Sequence, residues 1–216
     1  MARQIKSKLL FYGIRSPFSA KGRWSKQYLR WVKGLLFERE VLKVSFQSLM
    51  ELYEYLSTQL VKINKKVIEL SWNEKYLDKV RLLRSVPGIG ILIAMELLVE
   101  LPERERFKSG DELASYMGLT PSESSTGQDV RQGRITRCGN KRVRTCAVEG
   151  SWVLITKDPF MWDRYRRLKA MKGAKRAIIT IARMLMIRVG RILLSREPYR
   201  VGTHRVISQR FVVSKV

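Results

Sequence analysis

The chain has 216 residues, which is enough to bury a core without the help of a disulfide or a metal. Lysine and arginine number 43 and aspartate and glutamate 19, so the formal net charge is +24 at pH 7. This excess is larger than solubility requires and predicts a polyanionic partner. Hydrophobic residues make up 45% of the chain and charged residues 29%, a composition that excludes a wholly disordered polycation.

Residues that commonly bind metals or form disulfides are scarce. Cys138 and Cys146 are the only cysteines in the sequence, and His204 is the only histidine. This set excludes a disulfide framework and a cysteine–histidine zinc site within one chain. Charged residues interrupt every long apolar run, and the first residues lack the pattern of a secretory signal. We therefore expect a cytoplasmic protein with no membrane partner.

The first 37 residues contain nine basic residues and no acidic one, with aromatic residues interleaved. Two short helices are predicted on either side of the turn-rich segment 13–22, the second of them beginning near Ser25. We expect residues 1–39 to form a basic aromatic arm that contacts a phosphate backbone. A solvated basic face without a ligand is the alternative.

A heptad of apolar residues follows, in a segment without glycine or proline. Its 3.5-residue period indicates a long helix whose apolar stripe packs against another helix. That helix belongs either to another subunit, which would make the chain a homo-oligomer, or to a later part of the same chain. We assign residues 40–81 to this coiled-coil linker. The nine heptad positions are Leu42, Phe46, Leu49, Tyr53, Leu56, Leu60, Ile63, Val67 and Leu70.

Two further helices are predicted over residues 76–84 and 91–101, with a glycine-containing turn between them. Two glycines around one apolar residue allow a tight bend and leave the first amide groups of the next helix free to face an anion. Gly88, Ile89 and Gly90 are therefore candidate DNA contacts in a helix-hairpin-helix motif, which binds backbone phosphates and reads no base sequence. A plain turn between packed helices is the alternative.

The segment 118–140 is the least regular part of the chain. It follows a short helix predicted over residues 107–119, and it contains five hydroxyl residues between Thr120 and Thr126. Basic residues come directly afterwards, so candidate nucleophiles and candidate phosphate ligands are neighbours. The candidate ligands are Arg131, Arg134, Arg137, Lys141, Arg142 and Arg144.

Residues 131–191 include seventeen basic and three acidic residues. Helices are predicted over 143–155 and 177–194, and no firm structure is predicted for 198–216. Trp152, Phe160, Trp162 and Tyr165 could stack on unpaired bases, although their helical spacing favours core positions. Together the elements predict a mainly α fold. In it, a long coiled-coil-like helix precedes a helical domain that contains the helix-hairpin-helix motif and an irregular Ser-rich loop.

The order of these motifs resembles the C-terminal half of the insertion-sequence 110 family transposases. On this resemblance, residues 82–195 would be the C-terminal transposase domain and residues 196–216 a basic tail. The motifs that carry it follow the heptad helix and are residues 82–90 (LLRSVPGIG), 118–121 (GLTP), 125–127 (STG), 132–136 (QGRIT) and 139–144 (GNKRVR).

The resemblance implies DNA transposition by a site-specific recombinase of a mobile element, guided by a structured RNA. In that family an acidic N-terminal domain binds magnesium, and a serine of the C-terminal domain attacks DNA phosphorus. Ser125 matches this nucleophile, Ser124 and Thr126 are neighbouring alternatives for its position, and Asn140 joins the candidate DNA contacts.

No acidic cluster precedes the heptad helix. We therefore expect a truncated or split member of the family that has no metal site in this chain and is inactive alone, with magnesium entering only through the missing acidic domain.

A non-catalytic DNA- or RNA-binding module, such as a remnant that oligomerises with a full-length transposase, is the alternative function. Both functions predict binding that weakens steeply with salt, whereas only the recombinase needs the hydroxyl residues 124–126. An RNA-binding protein of the translation apparatus also fits the charge but gives the Ser-rich loop no role. For the first two functions we expect a place at the nucleoid.

Overall fold

The computed structural model describes residues 1–18, 24–101, 107, 109–123, 132–136 and 138–202. In these residues the fold is mainly α, as predicted, and one β-ribbon accompanies the helices. No helix in these ranges is long and apolar enough to cross a membrane. The elements are α1 (Ala2–Phe11), α2 (Lys26–Lys33), α3 (Glu40–Ser71), α4 (Glu74–Arg84), α5 (Ile91–Glu100), α6 (Gly110–Tyr116), β1 (Pro121–Glu123), β2 (Gln132–Ile135), α7 (Lys141–Lys157), α8 (Pro159–Lys172) and α9 (Ala174–Ser195).

The chain divides into two compact units, Met1–Lys65 and Lys66–Val216. The first unit has a small core, in which Ile5 of α1, Tyr28 of α2 and Phe46 of α3 are buried together. Ser25 Oγ accepts the backbone N–H of Tyr28 at 3.1 Å and so caps α2 at the predicted residue. Aromatic residues of the predicted arm therefore build a helical core. The finer division at residues 39, 81 and 195 stays a prediction.

Helix α3 contains the heptad stripe, and its apolar positions differ in exposure along the helix. Phe46 is 3% exposed and packs in the core of the first unit. Farther along, Leu56, Leu60 and Ile63 are 44%, 60% and 56% exposed. An intramolecular partner therefore covers the beginning of the stripe, while its middle faces solvent in the described part of the chain.

Helix α9 is the central element of the second unit. It packs against α4, α6, α7 and α8, and Ala177, Ile181, Ala182 and Val189 on it are fully buried. The predicted helices over 76–84, 91–101, 143–155 and 177–194 are confirmed as α4, α5, α7 and α9. Helix α8 and the β-ribbon are elements that the sequence did not predict.

A buried polar junction joins α7, α8 and the residues after α9. Asp158 is 1% exposed, and its Oδ1 caps α8 by accepting the N–H groups of Phe160 and Met161 at 2.9 and 3.3 Å. Its Oδ2 accepts the Tyr199 hydroxyl, whose pKa is raised by burial and by this hydrogen bond. The Tyr199 backbone N–H donates to Ser85 Oγ at 2.7 Å. The start of the predicted basic tail is therefore docked on the domain.

Candidate nucleic-acid interface

The predicted helix-hairpin-helix turn lies between α4 and α5. Gly88 has a φ of +95°, and a Cβ at this position would lie 2.3 Å from the carbonyl oxygen of Gly150 in α7. Both observations require glycine here. Ile89 is 4% exposed, so its side chain belongs to the core and a ligand would meet only its backbone. The turn is thus fixed by the backbone contact of Gly88 with α7 and by the burial of the Ile89 side chain.

Gly90 is the accessible member of the predicted trio. It is exposed, has open space around its Cβ position and is the N-cap residue of α5. No side chain in the described part of the chain caps this helix, so the first N–H groups of α5 have no side-chain acceptor. This is the arrangement that the motif requires for a phosphate ligand, and the contact itself stays a prediction.

The two short strands form an antiparallel ribbon, with Pro121 opposite Ile135 and Glu123 opposite Gln132. The ribbon therefore pairs the two residues that flank the segment 124–131. Arg134 is part of β2. The candidate residues Ser124, Ser125, Arg131 and Arg137 lie outside the described residues.

Both ends of the ribbon are attached to the C-terminal end of α6. Before β1, Gly118 ends the helix with a φ of +65°, and the following Leu119 is 2% exposed. After β2, the backbone at Gly139 comes so close that a Cβ there would lie 2.4 Å from the carbonyl oxygen of Tyr116. The base of the ribbon is therefore fixed on the domain.

Asn140 and Arg142 meet at one carboxylate. Asn140 Oδ1 accepts the N–H groups of Arg142 and Val143 at 2.9 and 3.3 Å, which caps α7. Asn140 Nδ2 donates to Oε2 of Glu100 at 2.7 Å, and Arg142 Nη1 donates to Oε1 of the same carboxylate at 3.1 Å. The last residue of α5 thereby orients the first turn of α7.

Arg144 and Lys141 complete the basic start of α7. Arg144 Nη1 donates to the carbonyl oxygen of Met117 at 3.1 Å, which links α7 to the end of α6. Lys141 is exposed, and the Arg142 side chain is 73% exposed despite its ion pair. The structure thus brings together four predicted contacts, Asn140, Lys141, Arg142 and Arg144, beside the base of the ribbon.

The charge at the start of α7 has the sign that the helix dipole disfavours. A helix N-terminus carries a partial positive charge, so acidic residues are favoured in the first turn and cations are disfavoured by roughly 0.3–1 kcal/mol each. Helix α7 has no acidic residue in its first turn and begins with Lys141 and Arg142. Glu100 offsets part of this charge. A bound anion would offset the remainder.

The buried thiol of Cys146 on this helix is unsuited to nucleophilic attack. Burial, a 3.3 Å hydrogen bond to Glu96 and the negative charges of Glu96 and Glu149 raise the pKa of the Cys146 thiol to about 12. Cys146 is therefore protonated at neutral pH. The described residues contain no group of three or more His, Cys, Asp or Glu residues that could hold a metal ion.

The described residues thus form a mainly α fold, and the start of α7 is basic. Residues 80–166 match the family model described as Transposase IS116/IS110/IS902 family. These residues are therefore similar to that family, in agreement with the resemblance drawn from the order of the motifs.

Individual relatives agree with the family match. The putative transposase y4qE of Sinorhizobium fredii is 29% identical over 150 residues, which are 69% of this chain and 35% of the relative. The IS110 uncharacterized 43.6 kDa protein of Streptomyces coelicolor is 30% identical over 54% of this chain and 30% of its own length. A pilin gene-inverting protein of Moraxella bovis is 27% identical over 57% and 39%. The chain therefore spans about a third of the length of these relatives.

We predict that Gly88→Ala lowers the free energy of unfolding by about 2 kcal/mol or more, because it adds a strained φ and a backbone clash with α7. The matched control is Gly90→Ala, at a position with an ordinary φ and open space, where the change should stay below about 1 kcal/mol. Chemical denaturation of both variants measures the difference. Equal losses would contradict the assignment of Gly88 as the packed glycine.

Proposed function

We propose that this chain acts in DNA transposition as the part of a site-specific recombinase that holds DNA and supplies a serine nucleophile. One observation carries the proposal: Lys141, Arg142 and Arg144 gather at the start of α7, beside the α6 end to which the ribbon is attached. That ribbon flanks the segment with Ser124 and Ser125. The family match over residues 80–166 supports a transposase role.

The proposed reaction is a phosphoryl transfer. The Ser125 hydroxyl attacks a DNA phosphorus atom, the Oγ–P bond forms, and the bond from phosphorus to one deoxyribose oxygen breaks. The hydroxyl proton passes to a base, and the leaving oxygen takes up a proton. Negative charge grows on the phosphoryl oxygens during the transfer, and nearby guanidinium and ammonium groups stabilise it. Ser124 is the neighbouring candidate for the same role.

Strand binding is assigned to two kinds of contact. Arg131, Arg134, Arg137 and the basic start of α7 would hold phosphates close to the nucleophile. Gly88, Ile89 and Gly90 would present the uncapped start of α5 to the backbone nearby. Contacts of both kinds carry no base information. We therefore assign sequence recognition to a structured guide RNA as a second partner.

The exposed middle of the heptad stripe supports a homo-oligomer. Leu56, Leu60 and Ile63 lie on one face of α3 at heptad spacing and are about half exposed. Burying such side chains against an identical helix contributes about 25 cal/mol for each Å² of apolar surface removed from water. A second copy of this chain provides a face with the same spacing.

We predict that a protein–DNA adduct depends on the serine pair. The chain is mixed with magnesium, DNA and RNA copies of the flanks of its own gene, and an acidic domain from a full-length relative, and adducts are resolved on a denaturing gel. Ser125→Ala should reduce the adduct by roughly a thousandfold or more, because it removes the proposed nucleophilic Oγ. Ser122→Ala, an exposed serine of β1, is the matched control and should leave the adduct unchanged.

Three outcomes separate the alternatives. Loss of the adduct in Ser124→Ala and not in Ser125→Ala moves the nucleophile by one residue. An adduct that survives both changes contradicts serine chemistry in this segment. Salt-sensitive DNA binding without any adduct, under conditions in which a full-length relative forms one, supports the non-catalytic binding module in place of the recombinase.

We further predict that the wild-type chain sediments as a dimer or larger species, above the 25.2 kDa of one chain. Leu60→Glu and Ile63→Glu should shift it to the monomer, because each places a charge in the proposed helix interface. Val61→Glu is the matched control, since Val61 is similarly exposed at 55% but lies off the heptad. A monomeric wild type, or equal dissociation by all three changes, would contradict the proposed interface.

A further inference from the structure

An exposed pair of indoles lies across α7 and α8. Trp152 of α7 is 47% exposed and Trp162 of α8 is 49% exposed. The ring centroids of both lie close to that of Tyr165, at 5.9 and 6.0 Å. Tyr165 itself is 5% exposed. A buried tyrosine ring thus supports two tryptophans that each leave about half of their surface in water.

This exposure is a physical cost to the free domain. An indole has a large apolar surface, and adjacent exposed apolar side chains are typical of binding sites. The rings are also held in place, because α7 and α8 pack together and Tyr165 contacts both. A partner would meet a preformed aromatic surface and would lose little entropy in ordering it.

The charge around Trp162 favours one class of partner. Helix α8 has five basic residues and one acidic residue. Arg166 and Lys169 follow Trp162 by four and seven residues and therefore lie on its face of the helix. Arg166 pairs with Asp163 at 3.3 Å, yet its side chain is 71% exposed. Both cations are exposed on the helix face that carries the indole, which favours a polyanion over an apolar protein surface.

The same face of α7 leads from the candidate interface to the pair. Lys141, Thr145 and Val148 precede Trp152 by eleven, seven and four residues, so they share one face of the helix. At 1.5 Å per residue, Lys141 and Trp152 are about 16 Å apart along the helix axis. A strand held by phosphate contacts at the start of α7 could therefore continue to the indoles.

We propose that Trp152 and Trp162 form a stacking platform for unpaired bases of a single-stranded nucleic acid, with Arg166 and Lys169 on its phosphates. The inference deepens the proposed function and rests on it. Bases within a duplex already stack on one another, whereas unpaired bases expose faces that stack on aromatic side chains. Guide RNA and a separated DNA strand share this chemistry, and the experiment distinguishes them.

The test measures binding of the full chain to fluorescently labelled probes by anisotropy. The probes are a mixed-sequence single-stranded DNA, the same sequence as RNA, an abasic strand of equal length and a DNA duplex. Trp152→Leu and Trp162→Leu keep an apolar contact with Tyr165 but remove the aromatic face, while Trp152→Phe and Trp162→Phe retain it. Trp72→Leu, at a tryptophan that is 59% exposed elsewhere in the chain, is the matched control.

Each leucine variant should weaken binding to a single strand roughly fivefold or more, because stacking on the lost ring disappears. The phenylalanine variants and Trp72→Leu should stay close to wild type, and binding to the abasic strand and the duplex should change little. A larger loss on RNA than on DNA identifies the guide as the stacked strand, and the reverse identifies the separated DNA strand. Both results support the platform.

Other results overturn it. Leucine variants that bind single strands like wild type, or that lose abasic binding equally, exclude base stacking at these rings. If the leucine variants fail to fold, the wild-type chain is mixed with a single strand that contains 2-aminopurine. Stacking on an aromatic ring quenches the fluorescence of this base, so a bound strand whose fluorescence is not quenched excludes the platform. A wild-type chain that binds neither duplex nor abasic strand contradicts the proposed function itself. If only the platform proposal is wrong, the wild-type chain still binds the duplex and the abasic strand.

Discussion

The concentration of positive charge at the start of α7 is the feature on which the proposed function depends. The helix N-terminus already has a partial positive charge, and Lys141 and Arg142 add to it where acidic residues would stabilise the helix. The free protein offsets part of this repulsion through Glu100, which also holds the capping Asn140. In the proposed function, a bound phosphate backbone would offset the remaining charge, and the net charge of +24 favours such a polyanion.

Close backbone contacts fix the position of α7 and of the chain segment that precedes it. The turn before α5 approaches α7 at Gly88, and the chain after the ribbon approaches α6 at Gly139, each at a distance that excludes a Cβ atom. The segment 124–131 is consequently flanked by paired strands whose base is fixed beside the cations. In the proposed function, this geometry brings a hydroxyl group to a phosphate that the cations already hold, which reduces the entropy lost on reaching the transition state.

Local signals in the sequence account for most of the helices. Periodicity predicted α3, α4, α5, α7 and α9, and the capping serine of α2 was found from its position before an apolar pattern. The ribbon escaped prediction because strands of three and four residues show no clear alternation. Glu100 escaped because it lies forty residues before Asn140, and only tertiary packing reveals their contact.

Burial was harder to predict than helix position. The aromatic residues after Ser151 have a spacing that favours core positions. Tyr165 is buried as this spacing predicts, whereas its neighbours Trp152 and Trp162 are exposed. The difference arises because the packing of α7 on α8 covers one ring and leaves the flanking rings at the edge of the contact. In α3, too, the sequence pattern does not predict burial, since the same heptad includes the buried Phe46 and the exposed Leu60.

Salt dependence of duplex DNA binding tests the central claim most directly. Each cation that neutralises a phosphate contributes close to one unit to the slope of the logarithm of the binding constant against the logarithm of the salt concentration. Lys141→Gln and Arg142→Gln should each reduce the slope by about one, and Lys79→Gln, at an exposed lysine of α4, should leave it unchanged. Unchanged slopes in both α7 variants, or an equal reduction in the α4 variant, would contradict the claim that the start of α7 holds the DNA backbone.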